Sequence, residues 1–126
     1  MPDIFSLASD GDINSGNVAY SSARSGTTGT VSTVSGITAQ AGIVRFSSRG
    51  GGNTVRIHRL FLDFDTSGIS VVPSSATLKF VINGQATGTT SNSNLIAVKS
   101  DAFTNSNALQ SSDYNNIDIS TPYTAS

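Results

Sequence analysis

The feature that most constrains this chain is a period of two. In residues 53–83, NTVRIHRLFLDFDTSGISVVPSSATLKFVIN, Leu60, Leu62 and Phe64 alternate with Phe61, Asp63 and Asp65. Further on, Ala76, Leu78, Phe80 and Ile82 alternate with Thr77, Lys79, Val81 and Asn83. Alternate residues of an extended chain point to opposite faces, so each run predicts a β-strand with one inward apolar row. Residues 66–75 between them hold Gly68, Pro73 and several serines, a composition that interrupts a strand. The expectation is two long core strands, 60–64 and 76–82, lying side by side and joined by an ordered loop. Upstream, Val55 and Ile57 share one parity and Leu60, Leu62 and Phe64 the other. A slip of one residue turns every side chain over, so either a β-bulge near His58 and Arg59 or two separate short strands is expected.

The rest of the chain is weaker in pattern. Residues 1–16 read as an irregular lead-in, followed by a short strand near residues 17–21 and a Ser/Gly-rich loop over 21–29. Residues 30–34 and 37–40 are β-prone but polar, as edge strands are; the other reading makes 10–36 a low-complexity linker. Residues 41–47 form a firmer strand, and Arg49-Gly50-Gly51-Gly52-Asn53 predicts a hairpin tip leading into the core pair. A polar loop spans 84–94, and residues 95–98 make a short strand. Residues 101–103 and 111–114 each open with Ser or Asp, which cap free N–H groups, and so predict single helical turns. The tail from 117 reads as polar loop.

Composition narrows the class. The chain has 126 residues, 37% hydrophobic and only 12% charged, with no cysteine and a net charge of −1. One domain over residues 1–126 is expected. Abundant Val, Ile and Thr with little charge fits a β-rich fold better than disorder. Seven basic residues are too few for nucleic acid, whose phosphates need clustered Lys and Arg. Arg45, Arg49, Arg56 and Arg59 form the one basic cluster, read as solvated faces or partners of nearby Asp, with an anionic ligand as the other reading. Disulfides and thiolate metal sites are excluded. No apolar run is long enough for a membrane helix, and residues 1–13 lack the basic start and apolar run of a signal peptide. About seven short strands predict an antiparallel β-sandwich, jelly-roll-like. That number is small for closing two sheets. The sandwich is therefore either a piece of a longer one, lacking C-terminal strands, or completed by a neighbouring subunit.

Arg59-Leu60-Phe61-Leu62-Asp63-Phe64-Asp65, Gly68-Ile69 and Pro73-Ser74-Ser75-Ala76-Thr77-Leu78-Lys79-Phe80 together resemble the signature of DNRLRE-type β-sandwich domains. Domains of this kind occur in bacterial surface proteins, carbohydrate-binding modules and structural proteins of marine bacteriophages, and residues 101–123 are similar to the phage members. The resemblance implies a non-enzymatic structural protein of a virion, a capsid decoration protein or a tail or fibre component. Its partners would be other virion proteins and sister copies, and its release would be by cell lysis. A carbohydrate-binding or adhesion module, with a host-surface glycan as ligand, is the alternative.

Candidate chemistry is sparse. His58 is the single histidine, and with serines throughout the chain no Ser–His–Asp set can be singled out, so it reads as a strand or bulge residue. Asp63 and Asp65 share a parity; they suit acid–base work on glycosides or a structural place opposite Arg56 and Arg59, and the resemblance favours the second. Asp10, Asp12 and Asn14 alternate as oxygen ligands do, but position twelve of such a loop is Ser21 rather than Glu, which rules out an EF-hand and leaves a loop calcium site or an Asx-turn. Residues 49–52 lack the ending of a phosphate-binding loop. Tyr20, Tyr114 and Tyr123 lie far apart in sequence, without a Trp to build a sugar platform. No cofactor is expected.

Overall fold

The structure, a computed structural model, describes residues 3–5, 7, 9–17, 19–33, 39–47, 49–79, 81, 84, 95–103, 106 and 108–123. Its described strands are β1 (Gly11–Asn17), β2 (Thr30–Thr33), β3 (Gly42–Ser47), β4 (Asn53–Phe61), β5 (Ala97–Ser100) and β6 (Ile117–Tyr123). A short helix α1 (Tyr20–Arg24) and a 3-10 turn η1 (Ser111–Asn115) complete the elements. The protein is mostly β with antiparallel pairing and little helix. Four strands make one sheet in the order β2-β1-β4-β3, and β5 pairs with β6 in a second.

The sheet is built on β4. It pairs with β1 from Gly11↔Phe61 to Asn17↔Val55 and with β3 from Gly42↔His58 to Ser47↔Asn53. The β3–β4 hairpin turns at the glycine run, as expected, with Gly51 at φ +83, a conformation that side chains rarely adopt. The β4 ladder is continuous, so the expected bulge at His58 and Arg59 does not form. The inward row is instead Ile57, Arg59 and Phe61, with Ile57 and Phe61 buried. Leu60, whose parity suggested the core, faces the other way and is half-buried.

Strand β1 corrects the irregular lead-in over 1–16. GDINSGN has poor strand propensity, yet Ile13 is fully buried and both edges are paired, to β2 and to β4. Two ladders and one buried isoleucine, the latter contributing about 1.5–3 kcal/mol, outweigh a propensity scale that spans about 1 kcal/mol. The strand expected near 17–21 is replaced by α1. Residues 30–33 are strand as expected; the rest of that region to residue 38 lies outside the described residues, as do most of the 84–94 loop, Phe80 and Ile82. The tail expected as loop from 117 is β6, and of the two expected helical turns only 111–115 is helical. There Gln110 and Asp113 cap each other's backbone, and Gln110 N–H donates to Asp113 Oδ2 at 2.8 Å.

The side-by-side core pair does not form among the described residues. Phe64 is an isolated bridge, and residues 65–79 and 81 contain no strand. Both edges of β4 are taken by β1 and β3, so the chain that follows has no free edge there to join.

The core lies on one face of the sheet. Ile13 and Phe61 from the sheet meet Ala102, Leu109 and Tyr114, with Val31, Phe103 and Ile117 at the margin. Gly29 passes so close to β1 that a Cβ there would stand 2.6 Å from Ile13 Cγ2 and 2.8 Å from Asn14 O.

Candidate functional site

Arg59 stands in the inward row between Ile57 and Phe61, directly opposite Ile13. A charge in that row needs donors satisfied and a surface to lie on. The ring of Tyr114 supplies the surface, 3.8 Å from the guanidinium carbon to the ring centroid. Nη1 donates to the Tyr114 carbonyl, and Nη2 donates to the Arg24 carbonyl at 2.8 Å. The second bond satisfies a carbonyl that the C-terminus of α1 leaves without a helical partner. Tyr114 is fully buried and its hydroxyl donates to Ala23 O at 2.8 Å. One arginine and one tyrosine thus tie α1 and η1 to β4.

Burial lowers the pKa of Arg59; the phenol of Tyr114 opposes this and the neighbouring charge of Arg24 adds to it. Burial raises the pKa of Tyr114, against the pull of Arg59. Beside this pair opens a groove of ≈ 490 Å³. Tyr20, Ser21, Arg24 and Ser25 form its α1 side; Arg59, Asn115, Ile117 and Ile119 form the rest.

The basic cluster read from the sequence is divided by the sheet. Arg59 turns to the groove, where it meets Arg24, which is distant in sequence. Arg56 points to the opposite face and lies over Phe46, 5.0 Å from its ring centroid. Arg45 and Arg49 are exposed. Tyr20 and Tyr114, far apart in the chain, both act on Arg59 electrostatically. Sequence reasoning missed this convergence because it needs the β1–β4 register and the course of α1. The one available signal was an arginine in phase with Ile57 and Phe61.

The acidic candidates go elsewhere. Asp63 and Asp65 do not face Arg56 or Arg59. Asp63 accepts from Ser9 Oγ at 3.3 Å, its N–H donates to Asp10 Oδ1 at 2.8 Å, and Leu7 N–H donates to Asp63 O at 2.9 Å. Asp65 accepts from Ser67 N–H, and its bonds to Ser67, the side chain first and the backbone second, hold its pKa below the ordinary value. Asp10, Asp12 and Asn14 lie in one row of the strand end but have separate partners. Asn14 Nδ2 donates to Thr30 O at 3.3 Å. Asp12 is buried; its Oδ2 lies 2.9 Å from His58 Nδ1 and its Oδ1 accepts from Gln40 N–H at 3.3 Å. That His58–Asp12 pair spans a diagonal of the β1–β4 ladder. Among the described residues no group of three or more His, Cys, Asp or Glu is placed to hold a metal ion.

A second surface is apolar. Ile4, Phe5, Leu62, Phe64, Leu78 and Val81 gather with Lys79 around a dent of ≈ 280 Å³. Phe5 is 83% exposed and Val81 95%. No family model, curated protein or solved structure matches the chain.

Proposed function

We propose that this chain is a non-enzymatic assembly protein of a bacteriophage particle, a capsid decoration or tail or fibre component whose uncovered apolar surface is closed by sister copies or another virion protein. The observation that carries the assembly reading is residues 62–81. Residues 62–64 and 76–79 keep the apolar alternation of a strand, residues 65–79 and 81 contain no strand, and Leu78 and Val81 are exposed beside Phe5. Val71 and Val72 in the same segment are also exposed, Val72 at 91%. Contiguous apolar surface of this kind marks a site of association. Among the described residues the four-stranded sheet also ends in two edges without a ladder partner, β2 and β3, and an open edge accepts a strand from a neighbour. Strand addition by a sister copy would close the sandwich, and many such contacts across symmetric copies would add by avidity.

The attribution to a phage particle draws on the resemblance of residues 59–80 to DNRLRE-type domains and of residues 101–123 to their phage members. Mass spectrometry of virions purified from a lysate of the phage that carries the gene tests it. The chain is expected at stoichiometric copy number with the known shell or tail proteins; its absence from washed particles, with abundance in the soluble lysate, would overturn the attribution.

A further inference from the structure

We infer that the groove between α1 and β6 receives the Asp3–Phe5 segment of a sister copy, with the Asp3 carboxylate between Arg24 and Arg59 and the Phe5 ring against Tyr20, Ile117 and Ile119. The inference rests on the reading that copies of the chain assemble, and it names a contact distinct from residues 62–81.

Charge is the first support. A guanidinium has five N–H donors in a planar fork suited to a carboxylate. Arg59 gives two groups to backbone carbonyls, which carry no full charge. The ion pairs among the described residues are His58–Asp12 and Lys99–Asp101, so neither Arg59 nor Arg24 has a carboxylate partner there. The two arginines repel, as the effect of Arg24 on Arg59 records. Among the described residues no acid lines the groove. The carboxylate that would relieve the repulsion is on the chain itself. Of its 8 acidic residues, Asp3 alone has no hydrogen-bond or ion-pair partner among the described residues.

Shape and lining are the second. Asp3 and Phe5 are exposed and Ile4 between them is half-buried at the apolar dent, the alternation of extended chain. Residues two apart on such a chain stand about 7 Å apart on one side, so a carboxylate and a ring are presented together. Ile4 sits on its own chain's dent, and Leu7 N–H holds Asp63 O at 2.9 Å, so Asp3 and Phe5 face away from the body that carries them. The groove they enter is therefore that of another copy. Phe5 is 83% exposed, Tyr20 50% and Ile119 56%, and docking takes all three out of water. A volume of ≈ 490 Å³ has room for both side chains. Arg59 is held rigid by Tyr114, so little side-chain freedom is lost on binding. Segment and groove are different surfaces of one chain, so every copy both gives and receives, and the contacts add across symmetric copies.

Fluorescence anisotropy of a labelled, C-terminally amidated peptide of residues 1–8, titrated with the full chain, tests the docking, and sedimentation of the full chain tests its source. The expected result is saturable binding that salt weakens. Asp3→Asn or Phe5→Ala in the peptide, or Arg24→Gln in the chain, should each weaken it about tenfold or more. The Arg24 side chain is exposed and the fold uses only its backbone carbonyl, so Arg24→Gln should melt as the parent does. In the full chain, Arg24→Gln and Asp3→Asn should both self-associate less than the parent. No saturation at millimolar peptide, or equal binding by Arg24→Gln, would overturn the inference; a parent chain that still associates would then leave the assembly reading standing without it. Peptide binding by a parent chain that stays a single copy at every concentration would put the docking within one chain and overturn both.

Discussion

Tyr114 does three jobs with one side chain. Its ring fills the core, its face carries Arg59, and its hydroxyl closes on Ala23 O. Tyr114→Phe keeps the first two and leaves a buried carbonyl without its donor, so it should lower stability by about 1–2 kcal/mol, read from denaturant midpoints. The same phenol sets an alkaline limit. Its folded pKa is raised above the ordinary 10.0, so the unfolded chain ionises first. The stabilisation is complete below that ordinary value and is lost as pH rises through the raised one. Repeating the midpoints up that range should show the parent losing its advantage over Tyr114→Phe, which cannot ionise. The glycines give a second contrast. At Gly29 a Cβ would meet Ile13 and the Asn14 backbone, whereas at Gly50 it would meet nothing within 4 Å. Gly29→Ala should therefore cost about 1–3 kcal/mol, as overpacking does, and Gly50→Ala within about 0.5.

At the scale of elements, β4 is the one strand among β1–β4 besides β1 with both edges paired, and it holds Ile57, Arg59 and Phe61 in one row. Native-state hydrogen exchange should find the slowest amides in β4 and β1, with β3, β2 and the β5–β6 pair opening at lower free energy. Slow exchange confined to β5–β6 would contradict this order. How much of the sheet was legible follows from the same residues. The β3–β4 hairpin could be read because its glycine run and flanking alternation are local. β2 and the turn at 111–115 were legible for similar reasons, a β-branched run in one and capping residues in the other. β1 was hidden because its single isoleucine becomes a strand only between two partners. The pair at 60–64 and 76–82 was misread because periodicity reports that a segment wants a partner, not whether the chain itself supplies one. The Arg24–Arg59 groove was invisible for a related reason: three of its walls, α1, β4 and β6, are far apart in sequence.

Few large side chains are buried among the described residues. Among the described residues Ile13, Ala23, Ile57, Phe61, Ala102, Leu109 and Tyr114 form the buried apolar set, while Phe5, Val71, Val72, Leu78, Val81, Leu95 and Ile96 stand in solvent. Covering that surface would stabilise such a chain, and association through the sheet edges is the proposed route. Leu78→Lys with Val81→Lys removes no buried side chain, so the folded subunit should stay intact while self-association weakens; circular dichroism and sizing of the double variant check the two halves of that expectation. Sedimentation velocity of the parent chain from micromolar to hundreds of micromolar tests the central claim most directly. A weight-average mass that rises well above the 12.9 kDa of one copy with concentration is the predicted result. A single 12.9 kDa species throughout, with no binding of a hydrophobic dye, would contradict it.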